Sequence, residues 1–408
     1  MKQLVLVAAA ILFVMVGVSP LKIYQWRGDN RDGVYAEKNL QEKWSETGPE
    51  LLWKFNGIGN GYGSPVVTED ALYVCGEIDS ITYLFAYNLN GGKLWQSKIG
   101  SEWTVNFRGS RSAPTIVNDL IYATSGNGDL VCFKLIDGTK LWSRNFISDF
   151  GGRNNRFGFS ESVLVDEDKV YCTPGNKDTN VVALNRFTGE LIWICRGEAE
   201  IPAYTAPIMV ELSKRKIMVT FTKKYLLGID SKTGEMLWSH KQDTMPESLL
   251  DVHCNTPLYE NGFLYYVTGD GNGAVKLKLS DDGKTITEIW RNVLFDNVMG
   301  GFIKKDNYLY GESYGKRIWL SLNTETGELV DSLRFNKGVT IFADGKLYLY
   351  NNKGEMALVQ ADKGKMEIIS SFKVEKGTKE HFSHPVIKNG VLYLRHGELL
   401  MAYDIRKK

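Results

Sequence analysis

The chain has 408 residues, and its 49 lysine and arginine residues nearly balance 48 aspartate and glutamate residues. That balance leaves no broad basic field to hold a nucleic acid or an anionic membrane surface. Aromatic residues make up 12%, and 41 glycines stand against only 10 prolines, a composition suited to many short strands, tight turns and a large apolar core.

In chain order, Lys2 precedes an uncharged apolar run from Leu4 to Val18, followed by Ser19, Pro20, Leu21 and Lys22. The length and flanks are those of an export signal. Cleavage after Ser19 would set Pro20 next to the cut, where a proline obstructs processing. Residues 1–22 are therefore expected to be a signal peptide or an uncleaved anchor associated with the membrane, although the run is short of the ~20 residues of a full span. No cysteine follows it to carry a lipid. Residues 23–48 are expected to form an N-terminal extension, in which "RGD" at Arg27 to Asp29 reads as a chance tripeptide.

From residue 49 onward one phrase recurs: "NLNGGKLW" (Asn88 to Trp95), "LIDGTKLW" (Leu135 to Trp142), "NRFTGELIW" (Asn185 to Trp193) and "DSKTGEMLW" (Asp230 to Trp238). Trp53 and Trp290 fall in the same register, and two later copies carry Asp331 and Ile368 instead. Each unit repeats one order of short apolar pieces, as in Ser112 to Val117, Leu120 to Thr124, Asp129 to Leu135 and Thr139 to Arg144. Four strands in about 40 to 50 residues predict a β-propeller blade.

The openings stand at Ser64–Pro65, Ala113–Pro114, Glu161–Ser162, Ala206–Pro207, Thr256–Pro257, Gly300–Gly301, Val339–Thr340 and His384–Pro385, so eight blades are predicted for residues 49–408. The last copy, Val391 to Ile405, lacks a fourth strand, and Pro49 to Phe55 is a fourth strand without three before it. Their pairing would close an all-β ring and remove the open sheet edge. Deleting residues 49–56 is accordingly expected to cost far more stability than deleting 20–35. In the phrase itself, glycine permits the turn, and tryptophan is expected to pack between blades with its indole N–H paired. Repetition around a ring marks that tryptophan as structural rather than catalytic.

Cys75, Cys132, Cys172, Cys195 and Cys254 are spread singly, a pattern of neither a zinc site nor a disulfide framework. Cys132 and Cys172 read as small buried hydrophobes.

The pattern Ala-x-Asp/Asn-x-x-Thr-Gly-x-x-x-Trp, seen in "ALNRFTGELIW" and "GIDSKTGEMLW", resembles the tryptophan-docking motif of propellers related to pyrroloquinoline quinone (PQQ) dehydrogenases. "YQWRGDNRDGVY" (Tyr24 to Tyr35), with "GPELLWKF" and "GYGSPVV" after it, is similar to the opening of exported bacterial PQQ-like propellers. That superfamily holds quinoprotein enzymes and also the propeller lipoprotein of the outer-membrane barrel-assembly machinery, which binds partners and carries no cofactor. The enzymes use two adjacent cysteines, a calcium held by Glu and Asn side chains, and an Asp base. Here the vicinal pair is absent, and Asn272 in "YYVTGDGNGAV" is the residue to match with the calcium asparagine, within what also reads as a hairpin turn. The lipoprotein's acylated cysteine has no counterpart either. The resemblance implies a non-catalytic, extracytoplasmic propeller that binds an envelope protein or a glycan without a cofactor. The alternative is a PQQ-dependent alcohol dehydrogenase with calcium, since fold alone does not assign function.

Propeller topology places the loops that lead into each blade on the face opposite the Thr-Gly turns. The loop into blade 2 carries Trp103, Asn106, Arg108 and Arg111; that into blade 3 carries Arg153, Asn154, Asn155, Arg156 and Glu161. Four arginines on neighbouring loops, beside Trp103, Phe107 and Phe157, are expected to form a pocket for a carboxylate or acidic partner, because guanidinium offers a planar fork to such oxygens. Asp251 and His253 lead into blade 5, and His381 and His384 into blade 8. A lone His-Asp pair is weak ground for a base, and His381-x-x-His384 lies in a loop without a third ligand. The candidate ligand face is Trp103, Asn106, Arg108, Arg111, Arg153, Asn155, Arg156, His253 and His384, with no catalytic or metal-ligating residue assigned.

Overall fold

The inner strands of each unit are apolar runs that can be satisfied only by packing on both faces. In the computed structural model they do so: Leu120–Thr124 is buried throughout, and Val181–Asn185 is buried but for its last residue. Residues 21–242, 253–269, 271–298, 300–375 and 377–408 are described. The apolar run up to residue 20, together with Asp251 and Asp270, lies outside them. Among the described residues the structure is all-β: eight antiparallel four-stranded blades, with strands taken in order from the axis outward. Blades 1 to 7 span 66–101, 115–145, 164–195, 208–241, 258–292, 303–333 and 338–373. Blade 8 (386–404) takes its outer strand from Glu50–Phe55, antiparallel to Leu399–Asp404 with Trp53 opposite Ala402, so the ring closes as the sequence predicts. Arg395, fully buried in blade 8, ties that blade to blade 1 by donating to the carbonyls of Gly63 (2.9 Å) and Cys75 (2.7 Å).

The repeated phrase holds each blade to the next. The indole N–H of Trp142 donates to the Arg186 carbonyl at 3.0 Å, that of Trp193 to Ser231 at 3.0 Å, that of Trp238 to Gly283 at 3.2 Å and that of Trp290 to Thr324 at 3.0 Å. Trp53 bridges blades 8 and 1 through Leu89 at 2.8 Å. Gly189, at φ +72°, has a second role beyond its turn. A Cβ there would stand 2.7 Å from the Trp142 ring, and Gly234 under Trp193 and Gly327 under Trp290 are built alike. Where tryptophan is lost the joints differ. The Asp331 carboxylate accepts the Met366 N–H at 2.8 Å between blades 6 and 7. Between blades 7 and 8, Trp44 of the N-terminal extension packs against Tyr348 and Phe372.

The rest of that extension is tied into the ring rather than lying beside it. Ile23–Tyr24 pairs antiparallel with Thr115–Val117, the axial strand of blade 2, and Val34–Tyr35 runs parallel to Gly338–Ala343, the axial strand of blade 7. The connecting turn lies in the channel with Arg27 and Arg31 buried at φ +62° and +59°. Arg31 donates to the carbonyls of Ser162 (2.7 Å), Val163 (2.6 Å) and Pro207 (3.3 Å). Arg27 donates to those of Phe302 (2.8 Å) and Thr340 (3.1 Å). Two side chains thereby tie blades 3, 4, 6 and 7 together at the axis. Burial pulls Arg31 down to about 9 and Arg27 to about 10, so both stay charged at neutral pH. Arg31→Ala is expected to leave carbonyls unpaired on two blades and to lower the unfolding free energy by about 3 kcal/mol, read by urea titration. A change within error would show the channel hairpin to be dispensable.

Candidate functional site

The loops leading into the blades converge over the channel hairpin and enclose a basin of about 530 Å³. Trp26 from the hairpin lines it, as do Tyr62, Phe107, Phe157, Tyr204 and Phe382 from the leading loops of blades 1, 2, 3, 4 and 8, and Tyr314 of blade 6. Phe157 meets Phe107 edge-on at 5.7 Å and Tyr204 at 5.8 Å, so the rings form a connected wall. His384 joins the wall to the hairpin: its ring stands edge-on to Trp26 at 5.1 Å, and its Nδ1 lies 3.0 Å from Arg27 Nη1. Arginine only donates, so Nδ1 is the acceptor and a neutral His384 carries its proton on Nε2.

The structure separates the four arginines expected to cluster. Arg108 pairs with Glu77, a fully buried carboxylate, through Nη2 to Oε1 at 2.6 Å and Nε to Oε2 at 3.0 Å. Burial raises the Glu77 pKa, but Arg108 and the Ser80 and Asn60 hydrogen bonds outweigh it and the net shift is downward. Arg111 donates to the carbonyls of Asn106 (2.8 Å), Phe107 (2.6 Å) and Gly109 (3.0 Å) and faces buried Glu102 at 3.6 Å. Arg153 reaches Ala199 O at 3.3 Å, away from the basin. Arg111 and Arg156 are the arginines that line the basin. The charges of Arg108 and Arg111 are thus met by the protein's own carboxylates, Glu77 and Glu102.

Of the remaining candidates, Asn106 lines the basin and donates to Arg156 O at 3.1 Å, while Trp103 donates to Asn106 Oδ1 at 3.1 Å and supports it from behind. Asn155 is buried and donates to Pro202 O at 2.9 Å, fixing the blade 3 loop to the blade 4 loop. His253 is buried beside Phe221, and its carbonyl accepts from Thr205 Oγ1 at 2.7 Å. His381 and His384 go to different partners: His381 stacks on His396 at 3.5 Å and bonds Tyr350 Oη. Asn272 is buried in its hairpin, donating to Gly269 O at 3.4 Å while its carbonyl accepts from Arg291 at 3.1 Å. Among the described residues no group of three His, Cys, Asp or Glu is placed to hold a metal.

The sequence reading missed Trp26, Tyr62, Tyr204, Tyr314 and Phe382. A signal for most of them was present. Tyr62, Tyr204 and Phe382 each stand three residues before the opening proline of their blade (Pro65, Pro207, Pro385), and Arg111 and Cys254 hold that place before Pro114 and Pro257. The repeat register that points this position into the axis is the same in these five blades, but it becomes visible only when the loops are aligned on the proline.

Glu161, behind the basin wall, is fully buried and accepts the Thr173 N–H at 2.9 Å. Burial pushes its carboxyl from 4.5 up to about 7, against the Thr173 bond and the charge of Arg31. The folded protein therefore holds a proton that the unfolded chain has lost between those values. Its stabilising effect is complete below about 4.5 and is lost as pH rises through 7. Glu161→Gln is expected to remove this fall, a difference on the order of 3 kcal/mol between pH 4.5 and 8, measured by denaturant titration. Parallel pH profiles of the two proteins would refute it. Arg108→Ala, which strands the Glu77 carboxylate, is expected to lower Tm.

The family model described as outer membrane protein assembly factor BamB matches residues 29–158 and 83–330. The outer membrane protein assembly factor BamB of Kangiella koreensis is 27% identical over 157 residues, which is 37% of this chain and only 36% of that protein. An uncharacterized protein of Rickettsia prowazekii is 22% identical over 351 residues, covering 81% of this chain and 79% of its own. The crystal structure of BamB from Moraxella catarrhalis shares the fold, with a TM-score of 0.61 at 12% identity over 88% of this chain and 98% of that one. Eight blades, most of them joined by a docked tryptophan, and a family match across most of the chain make this protein a member of the PQQ-like β-propeller family, similar to the assembly factor BamB.

Proposed function

We propose that the chain is a non-catalytic, extracytoplasmic propeller that binds an envelope protein or glycan at the face of its blade-leading loops. The observation that carries this reading is the chemistry of the basin. Its wall is aromatic, Arg156 supplies positive charge while Arg111 is met by Glu102 behind it, and no carboxylate is among the described residues that line it. Desolvated aromatic and arginine side chains are the groups that anchor protein interfaces. With arginine in its wall and no carboxylate among the described lining residues, the basin suits an acidic or aromatic protein segment better than a neutral glycan. The apolar run ahead of Pro20 supports export, by cleavage or as an anchor, and the relatives named as outer membrane assembly factors support an envelope setting.

The alternative, a PQQ-dependent alcohol dehydrogenase, requires carboxylate and amide oxygens for calcium and an Asp base within reach of the substrate. The donor set does not fit that group. Asn272 is committed to its own turn beside the Arg291 guanidinium, and Cys254 is the single cysteine at the basin. No proton acceptor of carboxylate type stands at the described wall to serve as base.

Two measurements test the reading. Pull-down from envelope extracts is expected to capture a partner with the wild-type protein and about tenfold less with Arg156→Ala plus Phe157→Ala, with the deficit shrinking at high salt as the charge share is screened. Undiminished capture by a folded double variant would move the partner elsewhere on the molecule. Titration with PQQ and calcium is expected to give neither bound-quinone absorbance nor dye reduction with alcohols; a stoichiometric, active complex would replace this proposal with the enzyme.

A further inference from the structure

The loop into blade 2 carries a backbone feature that its own folding does not call for. Phe107 stands at φ +41°, in the left-handed region. The other non-glycine residues of positive φ among the described residues are polar, charged or, at Ala199, small. Gly or Asn adopts this backbone readily, whereas a bulky ring strains it. Burial offsets little of that strain, because Phe107 is 47% exposed, and Val105 on the same loop is 75% exposed. A ring that is both strained and open to water has its gain elsewhere.

The loop is built to hold this form. Arg111 donates through Nη2 to the carbonyls of Asn106 (2.8 Å) and Phe107 (2.6 Å), so one guanidinium grips the peptide groups on both sides of the strained residue. Its Nη1 takes the Gly109 carbonyl as well. Behind it, buried Glu102 stands 3.6 Å away and is itself fixed by the Thr82 hydroxyl at 2.7 Å and the Trp103 N–H at 2.8 Å. The Phe107 ring is thereby displayed over the basin, edge-on to Phe157 at 5.7 Å and 6.4 Å from Phe382, where it connects the loops of blades 2, 3 and 8.

We propose that Phe107 is the contact residue through which the basin takes an aromatic side chain of a protein partner, with Arg111 as the positioning residue that keeps the ring displayed. This rests on the reading of the basin as the partner site and names what enters it. The occupant follows from charge. The Arg111 guanidinium lies 6.0 Å from the Tyr62 ring and that of Arg156 5.5 Å from the Phe157 ring. An incoming ring offers its electron-rich face to these groups and its apolar body to Phe107. An aliphatic side chain would cover the guanidinium groups and return nothing to them. A carboxylate would be desolvated against the rings, and at Arg111 it would meet a charge that Glu102 already answers.

The probes are acetylated, amidated pentapeptides Gly-Gly-X-Gly-Gly with Trp, Leu or Glu at X, titrated into the full chain by saturation-transfer NMR, with urea titration of every variant alongside. The Trp peptide is expected to bind at least about fivefold more tightly than the other two. Phe107→Asn is expected to weaken it at least about fivefold while the urea midpoint stays level or rises, since Asn keeps the left-handed turn without strain. Arg111→Gln with Glu102→Gln, which removes both charges together, is expected to weaken it too, but to add nothing in a Phe107→Asn background. A Trp peptide no tighter than the Leu peptide, undiminished binding to Phe107→Asn, or a midpoint that falls together with binding would each overturn the proposal, and additive losses would remove the positioning role of Arg111. Pull-down from envelope extracts separates this inference from the reading beneath it. Full capture by Phe107→Asn alongside lost capture by Arg156→Ala plus Phe157→Ala overturns the inference alone, whereas full capture by both overturns the partner site itself.

Discussion

The structure rests on a tryptophan laid against a glycine turn of the next blade. A flat indole can be buried between two sheets only if its N–H finds an acceptor and its face finds a surface without a side chain. The turn supplies both, a carbonyl at 2.8 to 3.2 Å in five joints and a glycine where a Cβ would strike the ring at Trp142, Trp193 and Trp290. Each blade thus carries half of two locks, its own tryptophan and the turn for its predecessor's. Removing a buried ring of this size costs roughly 3–5 kcal/mol, and the ring transmits such a loss to both neighbours. Where evolution of the repeat has removed the tryptophan, an Asp331 hydrogen bond and the imported Trp44 do the fastening.

At the axis the problem is reversed. The innermost strands converge with carbonyls that have no ladder partner on the channel side, and an unpaired buried carbonyl is costly. Arg27 and Arg31 answer it with guanidinium groups whose several donors reach several blades at once. The same hairpin sets Trp26 and, through Arg27, His384 into the wall of the basin. The stabilising plug and the candidate site are therefore parts of one element, and changes to the hairpin are expected to act on both.

The basin is concave, aromatic and cationic, and it would gain affinity from desolvating a few large side chains. Arg108, Arg111 and Arg153 are absorbed into loop geometry, which shows why clustered charge in a sequence is weak ground for a binding site: a guanidinium in a long loop finds carbonyls and buried carboxylates before it finds a ligand.

The ring of eight blades, its closure by residues 50–55 and the docking role of the tryptophans were legible in the sequence because each is a local pattern repeated at a fixed register. Period-two and all-apolar strands bury themselves only one way, and a missing fourth strand at one end with a spare one at the other has a single solution. The face that bears the long loops was legible for the same reason, since strand order determines it. Which loop residues reach the basin was not, because irregular backbone has no period from which to infer direction. Arg108 and Arg156 look alike in sequence, yet the fold turns Arg108 onto the buried Glu77 and sets Arg156 in the basin wall. The channel hairpin was hidden for a deeper reason: Arg27 and Arg31 bind carbonyls from blades up to 313 residues away, and a backbone carbonyl leaves no trace in the sequence. What the sequence by itself determined is the repeating lock between neighbours; what only the tertiary structure decided is everything at the axis, where all eight repeats meet and each contact is long-range.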